Sequence, residues 1–198
     1  MLKSEKILIS GAGVAGLSAG IWLARQGFRP VIVETRPSSR VGGFLVSLSH
    51  TAYACMEELG VMPALLARGS GITGSSYHNE AGTNLLALDS QKLFAGVKVI
   101  QLMRDELVDA LHEVAKDLLT IRFEDSITAI NETEHKVEVS FRNHADETYD
   151  VVIGADGLHS AVRDLAFPAT DFVEHYLGLS CAAYRCRNVL GLENKFET

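Results

Sequence analysis

Four residues near the start of the chain have the types and spacing to hold a phosphate ester and a sugar. They are Gly11, Gly13 and Gly16, set as Gly-Ala-Gly-Val-Ala-Gly, and Glu34, 23 residues after the first glycine. Gly11 permits a tight turn, and Gly13 lets the backbone come close to a pyrophosphate with no side chain in between. Gly16 lets a helix press on a strand, and Gly20 extends that packed face one turn later. A helix starting here aims unpaired N–H groups and the positive end of its dipole at an anion. A carboxylate at Glu34 accepts hydrogen bonds from a ribose diol.

The elements around these residues decide what the glycines mean, because a glycine-rich turn also occurs with no ligand at all. Ile7 to Ile9 is a short apolar run of the kind a buried parallel strand needs. Leu17, Ile21, Leu23 and Ala24 then recur at helical spacing, and Pro30 to Val33 forms a second strand that ends at Glu34. Strand, glycine turn, helix, strand and acid in this order point to a dinucleotide site. FAD and NAD remain open on these residues. Glu34 opposes a 2′-phosphate, while Arg36 leaves NADP open.

Composition narrows the classes. The chain has 198 residues, 47% of them hydrophobic and 22% charged, as in an ordinary globular protein. A chain this long buries about 70% of its unfolded surface, enough for a core. A net charge of −7 with no basic stripe argues against nucleic acid. No apolar run is long enough to cross a bilayer, and the polar stretch Met1 to Lys6 does not read as a signal peptide. Cys55, Cys181 and Cys186 are odd in number and at no metal-ligand spacing, so each is expected as a small buried apolar residue in a reducing cytoplasm. The seven histidines show no ligand pattern, and no metal site is expected.

Beyond Glu34 lies a loop, Thr35 to Gly43, in which Arg36 and Arg40 flank a Pro-Ser-Ser turn near the pair Gly42-Gly43. These arginines are either ligands for pyrophosphate or adenosine oxygens or a solvated basic loop. A helix is expected over Thr51 to Leu59, with Met56 in the core, and a shorter one over Pro63 to Arg68. Ile72 to Tyr77 and Asn84 to Leu88 read as a hairpin that interrupts the α/β alternation and suggests a second, sheet-based domain. Val97 to Leu102 leads into a helix from Arg104, whose Leu107, Leu111 and Val114 form one apolar face. Asp105 and Glu106 suit the dipole at that helix start; Arg104 does not, and needs another partner, for which a phosphate is a candidate.

Leu118 to Phe123 reads as a further parallel strand, and Ser126 to Asn131, Lys136 to Arg142 and Glu147 to Tyr149 as a three-stranded antiparallel meander. A second buried strand then runs into Gly154-Ala-Asp156-Gly157-Leu-His-Ser160-Ala-Val-Arg163. Asp156 there is a helix cap, a ligand residue, or both. Residues 172–185 carry a long strand pattern whose open apolar edge, Tyr176 to Arg185, would invite a second copy of the chain and so a homodimer. No nucleophile elbow and no Cys/His pair is present, so no catalytic residue is assigned.

Taken together, Gly11-x-Gly13-x-x-Gly16, Glu34, Gly42-Gly43, Arg104 at its helix start and Asp156-Gly157-x-x-Ser160-x-x-Arg163 resemble the aromatic-hydroxylase type of flavoprotein monooxygenase. That group includes p-hydroxybenzoate hydroxylase and the tetracycline-inactivating monooxygenases. The likeness covers essentially the whole chain, hairpin and meander included. It implies a Rossmann-like FAD/NAD(P)-binding α/β fold, a parallel sheet plus the three-stranded meander, followed by the beginning of a β-sheet substrate domain. Residues 1–71 and 92–170 would form a discontinuous FAD-binding domain, and 72–91 and 171–198 partial substrate-domain strands.

The resemblance implies that FAD is the dinucleotide, held by Gly11, Gly13, Val14, Ala15 and Gly16. Glu34 would meet the adenosine ribose, with Thr35, Arg36 and Gly43 nearby. Arg104 would lie at the ribityl and pyrophosphate, the Ile127 backbone at the adenine, and Asp156 and Gly157 in the motif serving FAD pyrophosphate and NAD(P)H. NAD(P)H would be co-substrate, and O2 would form a flavin C4a-hydroperoxide that passes one oxygen atom to a small aromatic or polycyclic substrate. Ser47 stands where many relatives of the tetracycline-inactivating group carry an acid. The family's second Gly-Asp motif is not among these residues, so the chain is expected to be an N-terminal portion, inactive alone. An NAD-dependent dehydrogenase and a non-catalytic dinucleotide-binding remnant are the competing readings.

Overall fold

A computed structural model of the chain describes residues 5–37, 43–182, 184, 186–189 and 191–197. In chain order the elements are β1 (Ile7–Ser10), α1 (Val14–Arg25), β2 (Val31–Val33), β3 (Leu45–Ser49), α2 (His50–Glu58) and α3 (Met62–Leu66). There follow β4 (Gly74–His78), β5 (Asn84–Asp89), α4 (Ser90–Leu93), β6 (Val99–Met103), α5 (Arg104–Ala115) and β7 (Thr120–Arg122). The last are β8 (Ile127–Glu132), β9 (Val137–Phe141), β10 (Glu147–Tyr149), β11 (Val151–Gly154), α6 (Ala161–Ala166) and β12 (Lys195–Glu197). The chain is mixed α/β and divides into two compact units, Met1–Val41 with Val108–Cys181, and Gly42–Leu107 with Ala182–Thr198.

The first unit is built on a parallel sheet in the order β11-β1-β2-β7. Leu8 pairs with Val31 and Val152, Ile9 with Ile32 and Ile153. Alternate side chains of a strand face opposite sides, and both faces here are covered. Ile9 and Ile32 lie under α1 at Gly20, where an added Cβ would stand 2.7 Å from Leu119 and 3.1 Å from Ile32. Leu8 and Val33 face the other way, into a core with Ile127, Val139, Phe141, Tyr149 and Val162. That second layer is the antiparallel meander β10-β9-β8, so the apolar run at Ile7 is buried on two sides, as a central parallel strand requires, while β11, last in the sheet order, is only partly covered and leaves Val151 exposed. Leu17 and Ile21 of α1 are fully buried, each contributing about 1.5–3 kcal/mol.

The second unit holds the antiparallel pair β3-β6, with Leu45 opposite Met103 and Ser49 opposite Val99. Met56, Leu59, Met62 and Leu65 of the α2–α3 region are buried, Met56 as expected. The expected hairpin is β4-β5, turning at Asn79, whose side chain accepts from the Ala81 and Thr83 amides.

Three expectations are corrected. The strand over 172–185 does not form in the described residues 172–182. Val173, Tyr176, Leu177 and Leu179 are exposed there, and Gly178 has a φ of +80°, which interrupts an extended run. A strand pattern without a partner ladder is not stable alone, and the apolar edge proposed on it is absent from those residues. The strand that does form after this stretch is β12, which pairs in parallel with β4. Finally, Cys55, Cys181 and Cys186 are exposed rather than buried. Cys55 lies on the solvent side of α2 while Met56, the next residue, points inward.

Candidate functional site

Within the first unit the glycine turn is shaped by what surrounds it. Gly11 has a φ of +102°, and a Cβ there would meet the Ala155 carbonyl oxygen at 2.6 Å and Asp156 Cα at 2.9 Å. The turn after β1 and the turn after β11 therefore touch through backbone, which only glycine allows. A Cβ on Gly16 would stand 1.9 Å from the Gly11 carbonyl oxygen, so α1 starts directly on the strand end. Gly13 differs from both. It is the N-cap of α1, and nothing lies within 4 Å of where its Cβ would be.

That open space lies at an uncapped helix start. No side chain caps α1, and its first turn, with Val14, Ala15 and Gly16, carries no acid. The N–H groups and dipole of a twelve-residue helix thus face a gap that no acid of the helix itself neutralises. An anion fits there, and a phosphate in particular.

Glu34 stands beside this turn. Its carboxylate accepts from the Ala12 N–H at 2.9 Å, the Arg36 N–H at 3.0 Å and the Thr35 hydroxyl at 3.1 Å. A carboxylate has about four acceptor positions, so capacity for a further donor remains. The Gly11 N–H, in turn, donates to the Val33 carbonyl at 2.7 Å. An anion cradle and a fixed carboxylate next to each other are what a dinucleotide's pyrophosphate and ribose require. The residues fit such a cofactor.

The second glycine turn lies against the first. Asp156 accepts from the Ser160 hydroxyl at 2.5 Å and the Val162 N–H at 3.1 Å, and Ser160 caps α6 by accepting from the Arg163 N–H at 3.1 Å. The N-cap is therefore Ser160 and not Asp156, which backs the cap by accepting from the Ser160 hydroxyl and the Val162 amide. Gly157 has open space in its Cβ direction. Ile127 begins β8 and is buried. So Gly11, Gly13, Val14, Ala15, Gly16, Glu34, Thr35, Arg36, Ile127, Asp156 and Gly157 all belong to the first unit.

Gly43 and Arg104 belong to the second unit and meet each other there. A Cβ on Gly43 would come within 2.9 Å of Arg104 Cβ, and the Arg104 N–H donates to the Phe44 carbonyl at 3.0 Å. The half-buried Arg104 guanidinium lies 5.6 Å from the Phe44 ring centroid. The unusual cation at this helix start therefore has an aromatic face as its partner, a contact of about 0.5–1 kcal/mol at an exposed ring. Ser47 accepts from Gln101 at 3.1 Å across the β3-β6 pair. Arg40 and Gly42 lie outside the described residues.

Sequence reasoning missed the support behind Glu34. The N–H of Asp125 donates to the Glu34 carbonyl at 3.1 Å, and that of Glu124 donates to the Arg36 carbonyl at 3.1 Å. Asp125 is a buried acid in an apparently ordinary Glu-Asp-Ser turn, and only tertiary pairing reveals it. Burial pushes its carboxyl up, but the amides of Asn143 and Ser126 and the His144 ring outweigh that and hold it below its ordinary value. Nearby, Arg122 pairs with Glu147 at 2.7 Å, and Tyr149 donates to the same carboxylate at 2.7 Å. The Arg122 hydrogen bond holds the Glu147 carboxyl low against its burial, while burial first, then Glu147, pushes the Tyr149 hydroxyl up.

Comparison with known proteins shows the family of the chain. A family profile described as "FAD binding domain" matches residues 4–178. The chain is 35% identical over 194 residues to the uncharacterized protein Rv1260 of Mycobacterium tuberculosis, covering 96% of this chain and 52% of that one. It is 32% identical over 195 residues to a flavin-dependent monooxygenase of Legionella longbeachae, covering 98% and 50%. The crystal structure of tetracycline destructase Tet(55) superposes with a TM-score of 0.75 at 30% identity, over 86% of this chain and 43% of that one. The chain spans about half the length of the curated relatives it matches.

Proposed function

From the premise that the chain belongs to the FAD-binding-domain family, we propose that it is the cofactor-holding part of an FAD-dependent monooxygenase. The observation that carries the reading is the uncapped start of α1, open at Gly13, with the Glu34 carboxylate bonded to the neighbouring Ala12 N–H. The α1 N-terminus, with Val14, Ala15 and Gly16, binds the FAD pyrophosphate through backbone donors and the helix dipole. Glu34 orients the adenosine ribose, with Thr35 and Arg36 fixing the carboxylate from behind. Ile127 lines the adenine through its backbone, and Asp156 and Gly157 close the pyrophosphate side. Arg104, carried next to Gly43, adds a positive charge toward the ribityl and pyrophosphate.

The chemistry FAD supplies when bound is acceptance of a hydride from NAD(P)H and activation of O2 for insertion of one oxygen atom. None of the residues assigned above is a general acid, base or nucleophile toward substrate. The substrate is a small aromatic or polycyclic molecule, in keeping with the likeness to a tetracycline destructase. The sheet of β4, β5 and β12 in the second unit belongs to the part that receives it. Because oxygen transfer needs the reacting centre enclosed from water, these 198 residues alone hold cofactor weakly and do not complete the reaction.

The test is spectroscopic. The chain is titrated with FAD and then, without oxygen, with NADPH or NADH. Saturable flavin binding and bleaching of the oxidised-flavin band are expected. A chain that binds NAD in preference to FAD would instead be a dehydrogenase. Substrate-dependent, coupled oxygen uptake by residues 1–198 alone would overturn the division of labour.

A further inference from the structure

The hydrogen bonds behind Glu34 form a connected run from the meander to the glycine turn. Asp125, 1% exposed, accepts from the Ser126 and Asn143 amides at 2.8 Å each through Oδ1 and meets His144 Nδ1 at 2.5 Å through Oδ2. Its own N–H holds the Glu34 carbonyl, and the preceding N–H holds the Arg36 carbonyl. Glu124 adopts a φ of +58°, and its carbonyl accepts from the Asn143 side-chain amide. A non-glycine residue in that region is strained and persists only where its surroundings impose it. Here the β9–β10 turn imposes it, since Asn143 and His144 both reach the 124–125 backbone or side chain. At the far end the Glu34 carboxylate bonds the Ala12 N–H.

We propose that Asp125 is the positioning residue of the adenosine site: tethered by Asn143 and His144, it fixes the backbone of Glu34 and Arg36 and so aims the Glu34 carboxylate. Asp125 itself touches no ligand. The inference rests on the reading of Glu34 as the ribose acceptor. It deepens that reading by naming what sets the carboxylate's place. A buried carboxylate with three donors, attached through one amide to the strand end it serves, is a rigid support of the kind that keeps a binding group within its working geometry.

The experiment compares the chain with its Asp125→Ala, Asp125→Asn and His144→Ala variants. Two quantities are read: affinity for FAD and for ADP, and hydrogen exchange at single amides without ligand. For Asp125→Ala, FAD and ADP affinities are expected to fall together by about tenfold, the loss of roughly one net hydrogen-bonded support. Exchange at the Ala12 and Arg36 amides, both bonded to the Glu34 carboxylate, rises, while Ile9 and Ile153 in the sheet stay protected. Asp125→Asn, whose side-chain oxygen still accepts both amides, stays within about threefold of the parent. Should Asp125→Ala fail to fold, His144→Ala decides, because its side chain is 44% exposed and its loss leaves the amide bonds in place. It is expected to speed exchange at Ala12 and Arg36 and weaken ADP a few-fold. Parental affinity and parental exchange in Asp125→Ala and His144→Ala overturn the proposal, as does exchange raised throughout the sheet. If the parent chain binds neither FAD nor ADP, the reading of Glu34 fails, and the amide exchange alone still tells whether Asp125 positions it.

Discussion

Gly13 and Gly16 are three residues apart in one turn, and a single substitution at each separates binding from folding. Gly16→Ala places a methyl carbon 1.9 Å from the Gly11 carbonyl oxygen, where tight contact ends near 3.4 Å. About 1.5 Å must open between two backbone segments in a close-packed interior, and neither is a side chain that can rotate away. The cost lies at the top of the overpacking range, about 3 kcal/mol, which lowers the melting temperature by roughly 10 °C in a chain of this size. Gly13→Val meets nothing within 4 Å, and its φ of −84° and ψ of −171° suit any residue. Its effect on stability stays below about 1 kcal/mol, that of changing an N-cap glycine. A branched side chain in the anion cradle nevertheless weakens FAD by at least about a hundredfold, or 2.7 kcal/mol. Thermal melting read beside a flavin-fluorescence titration gives both numbers. A Gly13→Val chain that keeps parental affinity, or a Gly16→Ala chain that keeps parental melting, refutes the reasoning.

Glu34→Ala removes the ribose acceptor and frees the Ala12 and Arg36 amides, so FAD affinity falls by about 1.5–3 kcal/mol; an unchanged dissociation constant contradicts the assignment. Arg104→Ala gives up a cation–π contact of about 0.5–1 kcal/mol but removes a cation from a helix N-terminus, worth about 0.3–1 kcal/mol in return. Melting should hardly move while flavin affinity drops, and equal affinities count against a ligand role. Asp125 and Glu147 both have depressed carboxyl pKa values. Their stabilisation is therefore present above the ordinary value of about 4 and lost as pH falls through the lowered folded value. Acid melting of the chain should steepen below about pH 4, and Glu147→Gln should flatten it; parallel curves for parent and variant would exclude this coupling.

Much of the first unit could be read from residue order. The runs at Ile7 and Val31 are short and apolar on both faces, and only a two-sided parallel sheet buries such strands; the similar run at Val151 pairs with β1 but is only partly covered. Gly11, Gly16 and Gly20 carry a packing constraint that the structure states as distances. What stayed hidden depended on partners far along the chain. Residues 172–182 alternate well enough to suggest a strand, yet find no ladder among the described residues. Lys195–Glu197 has little pattern of its own, yet pairs with β4. Arg104 was recognisable as an anomaly, but its ring partner Phe44 is 60 residues earlier. Asp125 gave no sign at all, because a buried acid announces itself only through the donors of a remote turn.

The most direct measurement is a titration of the chain with FAD, followed by displacement with ADP and, separately, with FMN. One saturable site is expected, from which ADP displaces FAD and FMN does not, since the α1 cradle and Glu34 hold the adenosine diphosphate half. Absence of a saturable site, or displacement by FMN as effective as by ADP, would contradict the assignment of this turn as the FAD site.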